Sequence, residues 1–351
     1  MNIAVVGATG YTGGELLRLL TQHPEVTVTC VTSEQSAHRP LVERLPFLRG
    51  HYSLILEPFD PDAISEKAEC VFLAFPHTQA MTPTRRLMDA GKKVIDLSAD
   101  FRLRSPRTYQ KWYKAPHLQT ALLKKAVYGL PEIYRKKIAG GCLVANPGCY
   151  PTGALLPLYP FLKAGVVDST QAIVVDAKSG ISGAGRSPSA ATHFPEAHDG
   201  FSAYQIGTHR HLPEIVQEIT RMSRGNGAGR TRQTQRVLFT PHLLPVNRGI
   251  LTTIYLPLKQ RLSQKNLDDL LDDYQGEPFI RRVSDTPNLA HVRGSNFCDL
   301  AAFPTDAGRC ATLISAIDNL GKGAAGQAIQ NMNVMMGWKE SLGLSAPGFF
   351  P

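Results

Sequence analysis

The chain has 351 residues, 43% hydrophobic and 19% charged, with a formal net charge of +9. That length is more than one core ordinarily organises, so two domains are expected, and the composition is that of an ordinary globular protein, not a disordered or fibrous one. No apolar run reaches the length of a membrane helix, and the basic residues are dispersed without an aromatic-rich stripe. Neither a membrane span nor a nucleic-acid surface is therefore expected; small phosphorylated anions account for the charge.

The six cysteines, Cys30, Cys70, Cys142, Cys149, Cys298 and Cys310, contain no C-x-x-C pair and mostly lie in apolar, strand-like runs. They read as free thiols in a reducing, cytoplasmic setting, not as a disulfide or zinc framework. No signal-peptide pattern precedes the first strand-like run.

That run, residues 2–6, is followed by glycines at 7, 10, 13 and 14 and then by the amphipathic pattern of residues 15–20. Strand, glycine-rich turn and helix in this order form a dinucleotide cradle. Gly7 permits the tight turn, Gly10 lets the backbone approach a pyrophosphate, and Gly13 packs helix on strand. Thr9, Tyr11 and Thr12 belong to the same expected cofactor site. A second strand spans residues 26–31. Beyond it Ser33 and Arg39 could receive a ribose 2′-phosphate, which favours NADP, while Glu34 argues for the 2′-hydroxyl of NAD.

Further βα units follow, with strands at 70–75 and 93–98 and a helix at 78–90, so a parallel, doubly wound sheet is expected. His77, Ser98 and Arg102 fall at the carboxyl ends of these strands, where such sheets bind ligands, and of the three Arg102 is the functional candidate. Residues 104–138 are rich in aromatics and prolines and read as an irregular lid or packing segment. At 142–145 an apolar strand ends in Asn146-Pro147-Gly148, and Cys149 opens a helix-compatible run. A cysteine at a strand-to-helix turn faces unpaired backbone N–H groups and the positive end of a helix dipole, both of which favour thiolate, so Cys149 is the expected nucleophile.

Past Cys149 the pattern changes to that of an α+β domain with a mixed or antiparallel sheet. Strands are expected at 171–178, 236–244, 249–258, 279–285, 297–303 and 310–317, with a helix near 263–274 capped by Ser263. A second glycine-rich loop, residues 179–186, carries Ser182, Gly183 and Arg186 and is expected at the nicotinamide side of the cofactor. The Gly- and Arg-rich stretch 223–232 reads as a mobile surface loop. Residues 322–336 read as a helix, small residues early and methionines late. His209 and His211 flank Arg210, with Glu214 able to orient one of them; in an extended segment the two histidines would share a face. They are the candidates for proton transfer, since a third and fourth metal ligand are not evident at suitable spacing. His193, His198, His242 and His291 read as structural.

Several strings, in order over nearly the whole chain, resemble one family: GATGYTG at 7–13, DLSADFRL at 96–103, YGLPE at 128–132, ANPGCYPT at 145–152, SGISGAGR at 179–186, HRHLPEI at 209–215, GSNFC at 294–298 and DNLGKGAAGQAIQNMN at 318–333. Together they resemble the N-acetyl-gamma-glutamyl-phosphate reductases of arginine biosynthesis, within the semialdehyde dehydrogenase superfamily. The resemblance implies a Rossmann-type domain at 1–148 plus 319–351 and a catalytic and dimerisation domain at 149–318. It implies NADPH-dependent reduction of an acyl phosphate to its semialdehyde through a thioester on Cys149, with His211 or His209 moving the proton. It also implies Asn319 returning to the cofactor. Arg102, Arg186 and Arg210 are candidates for carboxylate or phosphate recognition, since a guanidinium matches those oxygens bidentately, Asn146 and Glu214 join them as expected substrate residues, and the broad sheet suggests a homodimer or homotetramer. The basic insert near 224–236 departs from the pattern. Aspartyl- and aminoadipyl-type enzymes on the same scaffold, and a non-catalytic nucleotide sensor, are the rival readings.

Overall fold

The computed structural model describes residues 1–224 and 235–349; most of the Gly- and Arg-rich stretch expected as a surface loop lies outside the described residues. The chain divides into two compact units, Met1–Gly148 with Ala324–Ala346, and Cys149–Gly323 with the residues from Pro347 onward.

The first unit carries strands β1 (Asn2–Val6), β2 (Thr27–Thr32), β3 (Cys70–Leu73), β4 (Lys93–Asp96), β5 (Val127–Tyr128) and β6 (Leu143–Ala145). They form one sheet in the order β2-β1-β3-β4-β6-β5, parallel throughout, as the alternation of strand and helix patterns led us to expect. The strands are nearly continuous apolar runs because both faces of the sheet are covered; Val71, Phe72, Leu73, Val94 and Ile95 are fully buried. From β1 the chain steps to β2 on one side and then crosses to β3 on the other. The sequence order reverses at β1, the kind of switch point at whose carboxyl edge doubly wound sheets bind ligands.

Residues 104–138 are not the irregular segment expected. They hold helices Pro106–Tyr113, Thr120–Lys125 and Pro131–Ala139 around the short β5. The prolines that suggested irregularity are helix starters: Pro106 and Pro131 occupy first turns, and Ser105 caps the first helix by accepting from the Thr108 N–H at 3.2 Å.

The second unit has β7 (Ile173–Gly180), β8 (Ser202–Ala203), β9 (Val237–Leu244), β10 (Ile250–Pro257), β11 (Ile280–Arg282), β12 (Cys298–Thr305) and β13 (Cys310–Ile317). They make a mixed sheet in the order β11-β12-β13-β10-β7-β9-β8. Helices Cys149–Ala164 and Gln264–Leu271 cover one face, and Leu212–Arg224 packs against the first of them. On the other, the register aligns Leu238, Val174 and Tyr255 across neighbouring strands, and Leu238 and Tyr255 are exposed.

The helix Cys149–Ala164 is apolar all round and almost wholly buried despite Pro157 and Pro160 in its interior. Each proline removes the N–H that would reach the carbonyl four residues back, at Gly153 and Leu156. Those two carbonyls are taken instead by the Ser315 hydroxyl at 2.6 Å and the Tyr274 hydroxyl at 2.7 Å. Side chains from the sheet and a neighbouring turn thus restore the bonds that the prolines forgo.

Candidate active site

In the first unit Gly7 and Gly13 lie where only glycine fits. Gly7 has φ +76°, and a Cβ there would stand 2.6 Å from the Ala74 carbonyl oxygen beyond β3. A Cβ on Gly13 would fall 2.4 Å from the Gly7 oxygen. Gly10, in extended backbone, caps the helix Tyr11–Leu20, whose first turn, with Thr12, carries no acidic residue to oppose an anion. Thr9 Oγ1 and Ser33 Oγ are 3.0 Å apart, which joins the glycine turn to the end of β2. Glu34, the residue that argued for NAD, accepts a hydrogen bond from the Phe59 backbone N–H at 2.8 Å. Arg39 is exposed, and its carbonyl accepts from the Leu56 N–H at 2.9 Å. A narrow backbone cradle, a helix N-terminus, a buried serine and an exposed arginine suit a phosphorylated dinucleotide.

The turn that leads to Cys149 is rigid. Asn146 is buried; its N–H donates to the Asp96 carbonyl at 2.8 Å, its Nδ2 donates to the Ala324 carbonyl at 3.1 Å, and its Oδ1 accepts from Asn331 Nδ2 at 3.0 Å. Arg102, 6% exposed, donates from Nε to the Asn146 carbonyl at 2.7 Å and from an Nη to the Leu97 carbonyl at 2.8 Å. Asp96 accepts from the Ser98 N–H and hydroxyl, both at 2.9 Å; burial, with Asp100 nearby, pushes its carboxyl up to about 7. His77 accepts from the Ala99 N–H at 3.2 Å, a loop bond.

In the second unit Cys149 is the first residue of its helix and half-buried. Gly323 lies against it: a Cβ at 323 would come within 2.8 Å of the Cys149 Cβ. The two histidines come together through a turn, not through the shared face of an extended segment. The His209 N–H donates to the Gln205 carbonyl at 2.9 Å, and the helix Leu212–Arg224 begins directly after His211. The two rings are 4.9 Å apart, and Tyr150 presents its ring to both, at 5.4 Å from His209 and 5.9 Å from His211. His209 Nδ1 accepts the His211 backbone N–H at 3.1 Å, and Nε2 lies 3.4 Å from the Tyr204 hydroxyl. Burial, reinforced by the Arg210 charge, pushes the His209 imidazole down to about 4. Burial pushes the Tyr204 phenol up to about 12, and the Cys149 charge pushes the same way.

Around this centre, Asn319 donates from Nδ2 to Ser182 Oγ at 2.9 Å and accepts from the Gly249 N–H at 2.6 Å. Gly183 sits beside it, with space for a Cβ limited by Ser179 Oγ at 3.1 Å. Ser182, Gly183 and Asn319 therefore form one polar corner. Arg186 and Arg210 are exposed, and Glu214 is buried in the first turn of its helix. Among the described residues no group of three or more His, Cys, Asp or Glu side chains could hold a metal ion. Tyr150, Tyr204 and Gly323 were not singled out in the sequence. Tyr150 is legible afterwards as the neighbour of Cys149, while Tyr204 and Gly323 carry no local signal.

A dinucleotide cradle on a parallel sheet, joined to a mixed-sheet unit that opens on a helix-borne cysteine, is the build of a nicotinamide-dependent dehydrogenase. Residues 2–141 match the model described as semialdehyde dehydrogenase, NAD binding domain, and residues 149–319 match semialdehyde dehydrogenase, dimerisation domain. The chain belongs to the semialdehyde dehydrogenase family. It is similar over its full length to the N-acetyl-gamma-glutamyl-phosphate reductases of Geobacter metallireducens, 50% identical with all of both chains covered, and of Geobacter sulfurreducens, 47% identical with the same coverage. Among solved structures it resembles aspartate semialdehyde dehydrogenase II of Vibrio cholerae, with a TM-score of 0.71 and 18% identity over 95% of this chain and 98% of that one. It also resembles the Candida albicans aspartate semialdehyde dehydrogenase with NADP, with a TM-score of 0.70 and 16% identity over 95% and 98%. At such identities these two establish the fold alone.

Proposed function

We propose that the chain reduces N-acetyl-L-glutamyl 5-phosphate with NADPH to N-acetyl-L-glutamate 5-semialdehyde and phosphate, a step of arginine biosynthesis. The full-length similarity to the glutamyl-phosphate reductases supports the substrate, and the position of Cys149 carries the chemistry.

In this reading the cofactor's phosphates rest on the backbone of Gly7, Thr9, Gly10, Tyr11, Thr12 and Gly13. Ser33 and Arg39 take the 2′-phosphate, and the corner of Ser182, Gly183 and Asn319 serves the nicotinamide side. When bound, NADPH supplies the hydride that lowers the acyl carbon to the aldehyde level. The chain's own residues do the rest. His211 takes the thiol proton, and the Cys149 thiolate attacks the acyl carbon; the bond to the phosphate oxygen breaks, phosphate leaves and a thioester remains, and once that carbon is reduced its bond to sulfur breaks, which frees the aldehyde and restores the thiolate. Backbone N–H groups at the start of the Cys149 helix hold the oxyanion. Arg186 and Arg210 meet carboxylate and phosphate oxygens bidentately, whereas Arg102, expected at the substrate, is buried with its guanidinium bonded to the Asn146 and Leu97 carbonyls and holds the turn before Cys149. Glu214 orients the histidine segment, and Asn146 keeps the turn before the nucleophile in place.

The exposed Leu238–Val174–Tyr255 face is read as a contact between two copies of the chain, in line with the dimerisation domain it belongs to. Among the described residues no helix is long and apolar enough to cross a membrane, and a cytoplasmic enzyme is the reading that also suits the free cysteines. A reverse-direction assay with NADP, phosphate and the glutamyl, aspartyl and aminoadipyl semialdehydes tests the proposal. Preference for the glutamyl compound is expected, and a faster rate with either other semialdehyde would replace the substrate.

A further inference from the structure

Two histidines stand where one proton carrier is needed, and hydrogen-bond direction separates them. We propose that His209 is a positioning residue rather than a proton carrier: a hydroxyl chain through Tyr204 and Tyr150 holds its proton on Nε2, and its bare Nδ1 grips the His211 backbone and sets the stance of the His211 imidazole. This rests on the reading of Cys149 as nucleophile and His211 as its base.

The chain of donors runs one way. A backbone N–H can only donate, so His209 Nδ1, 3.1 Å from the His211 nitrogen, must accept. A neutral ring then carries its proton on Nε2, which faces the Tyr204 oxygen at 3.4 Å. The Tyr204 hydroxyl donates to the Tyr150 oxygen at 3.1 Å, and Tyr150 donates to the His242 carbonyl at 3.0 Å. A carbonyl cannot donate, so the order cannot be reversed. Protonating Nδ1 would set two N–H groups against each other in a buried site.

Packing reinforces the bonds. Phe239 presents its ring to His209 at 5.5 Å and to Tyr150 at 5.4 Å, while Tyr150 touches both histidine rings. The groups facing His209 are thus Tyr150, Tyr204, His211 and Phe239, with the Arg210 charge beside it in the chain. Tyr150 follows Cys149 in the first turn of the same helix. One side chain therefore seats the histidine pair on the helix that carries the sulfur, so that a displaced His209 would displace His211 as well.

The test uses an isostere. In His209→Asn, Oδ1 replaces Nδ1 as acceptor for the His211 N–H, but the side chain can carry no proton at working pH. The expected result is a kcat within about threefold of wild type and an unchanged pH–rate profile, while His209→Ala loses kcat roughly tenfold or more at constant KM. Proton carriers contribute about 100-fold or more, so a His209→Asn enzyme that falls by that factor overturns the proposal. Nitrogen-15 spectra of the imidazoles in the full wild-type chain give a readout independent of turnover. A neutral His209 protonated on Nε2 is expected near neutral pH, and a charged ring or one protonated on Nδ1 overturns it. Should wild type reduce none of the acyl phosphates offered, the functional reading fails while the spectra still decide the tautomer.

Discussion

Gly323 and Cys149 are in backbone-to-side-chain contact: nothing larger than hydrogen fits on the glycine without meeting the cysteine Cβ at 2.8 Å. The placement of Cys149, the proposed nucleophile, is thus set in part by a residue far away in sequence. Gly323→Ala is expected to push Cys149 aside and lower kcat by about tenfold to 100-fold, since misplacement on the ångström scale suffices. NADPH binding, followed by fluorescence titration, is expected to be unchanged.

The prolines inside the Cys149 helix make a prediction about stability. Ser315→Ala and Tyr274→Phe each strip a buried carbonyl of the hydroxyl that replaces its lost N–H, at Gly153 and Leu156. Each is expected to cost about 1–3 kcal/mol in urea unfolding. In a Pro157→Ala background, where an N–H again faces the Gly153 carbonyl, Ser315→Ala is expected to cost measurably less.

Much of this was legible from the chain alone. The strand–glycine–helix order at residues 2–20, the parallel sheet and the strand-to-helix turn at Cys149 follow from local periodicity and glycine spacing, which report short-range geometry well. Residues 104–138 misled because proline is ambiguous: in mid-segment it breaks a helix, and at Pro106 and Pro131 it starts one. The tyrosines around the histidines were hidden for a different reason. Tyr150, on the Cys149 helix, meets Tyr204 and His209 through tertiary packing, and no spacing in the sequence encodes that. The pairing of His209 with His211 was anticipated, but the turn that brings the rings to 4.9 Å was not.

Coenzyme choice is expected to rest on Arg39 and Ser33. With Glu34 bonded to the Phe59 backbone, the cationic side chain is expected to separate the two coenzymes. Arg39→Ala is expected to raise the KM for NADPH about tenfold or more with little change for NADH, because a guanidinium–phosphate contact contributes roughly 1.5–3 kcal/mol. Equal losses for both coenzymes would assign Arg39 a structural role.

Acid stability offers a further check. His209 titrates at about 4 in the folded chain and near 6.5 unfolded, so between those values the unfolded chain binds more protons and stability falls as the pH drops. Buried His23 and His117, also lowered, act in the same direction. Asp96, raised to about 7, acts oppositely, its contribution growing as the pH falls. Comparing wild type with His209→Asn isolates one group. On going from about pH 6.5 to about pH 4, wild type is expected to lose on the order of 2–3 kcal/mol relative to the variant. Parallel stability curves would mean that His209 is protonated as readily folded as unfolded.

The most direct measurement is to mix the full-length enzyme with N-acetylglutamyl phosphate in the absence of NADPH and weigh the intact chain by mass spectrometry. One acyl group attached at Cys149, with one equivalent of phosphate released, is the expected result, with neither seen in Cys149→Ala. If wild type turns over with NADPH yet never carries the acyl group, or if Cys149→Ala keeps near-normal rates, covalent catalysis by this cysteine is contradicted.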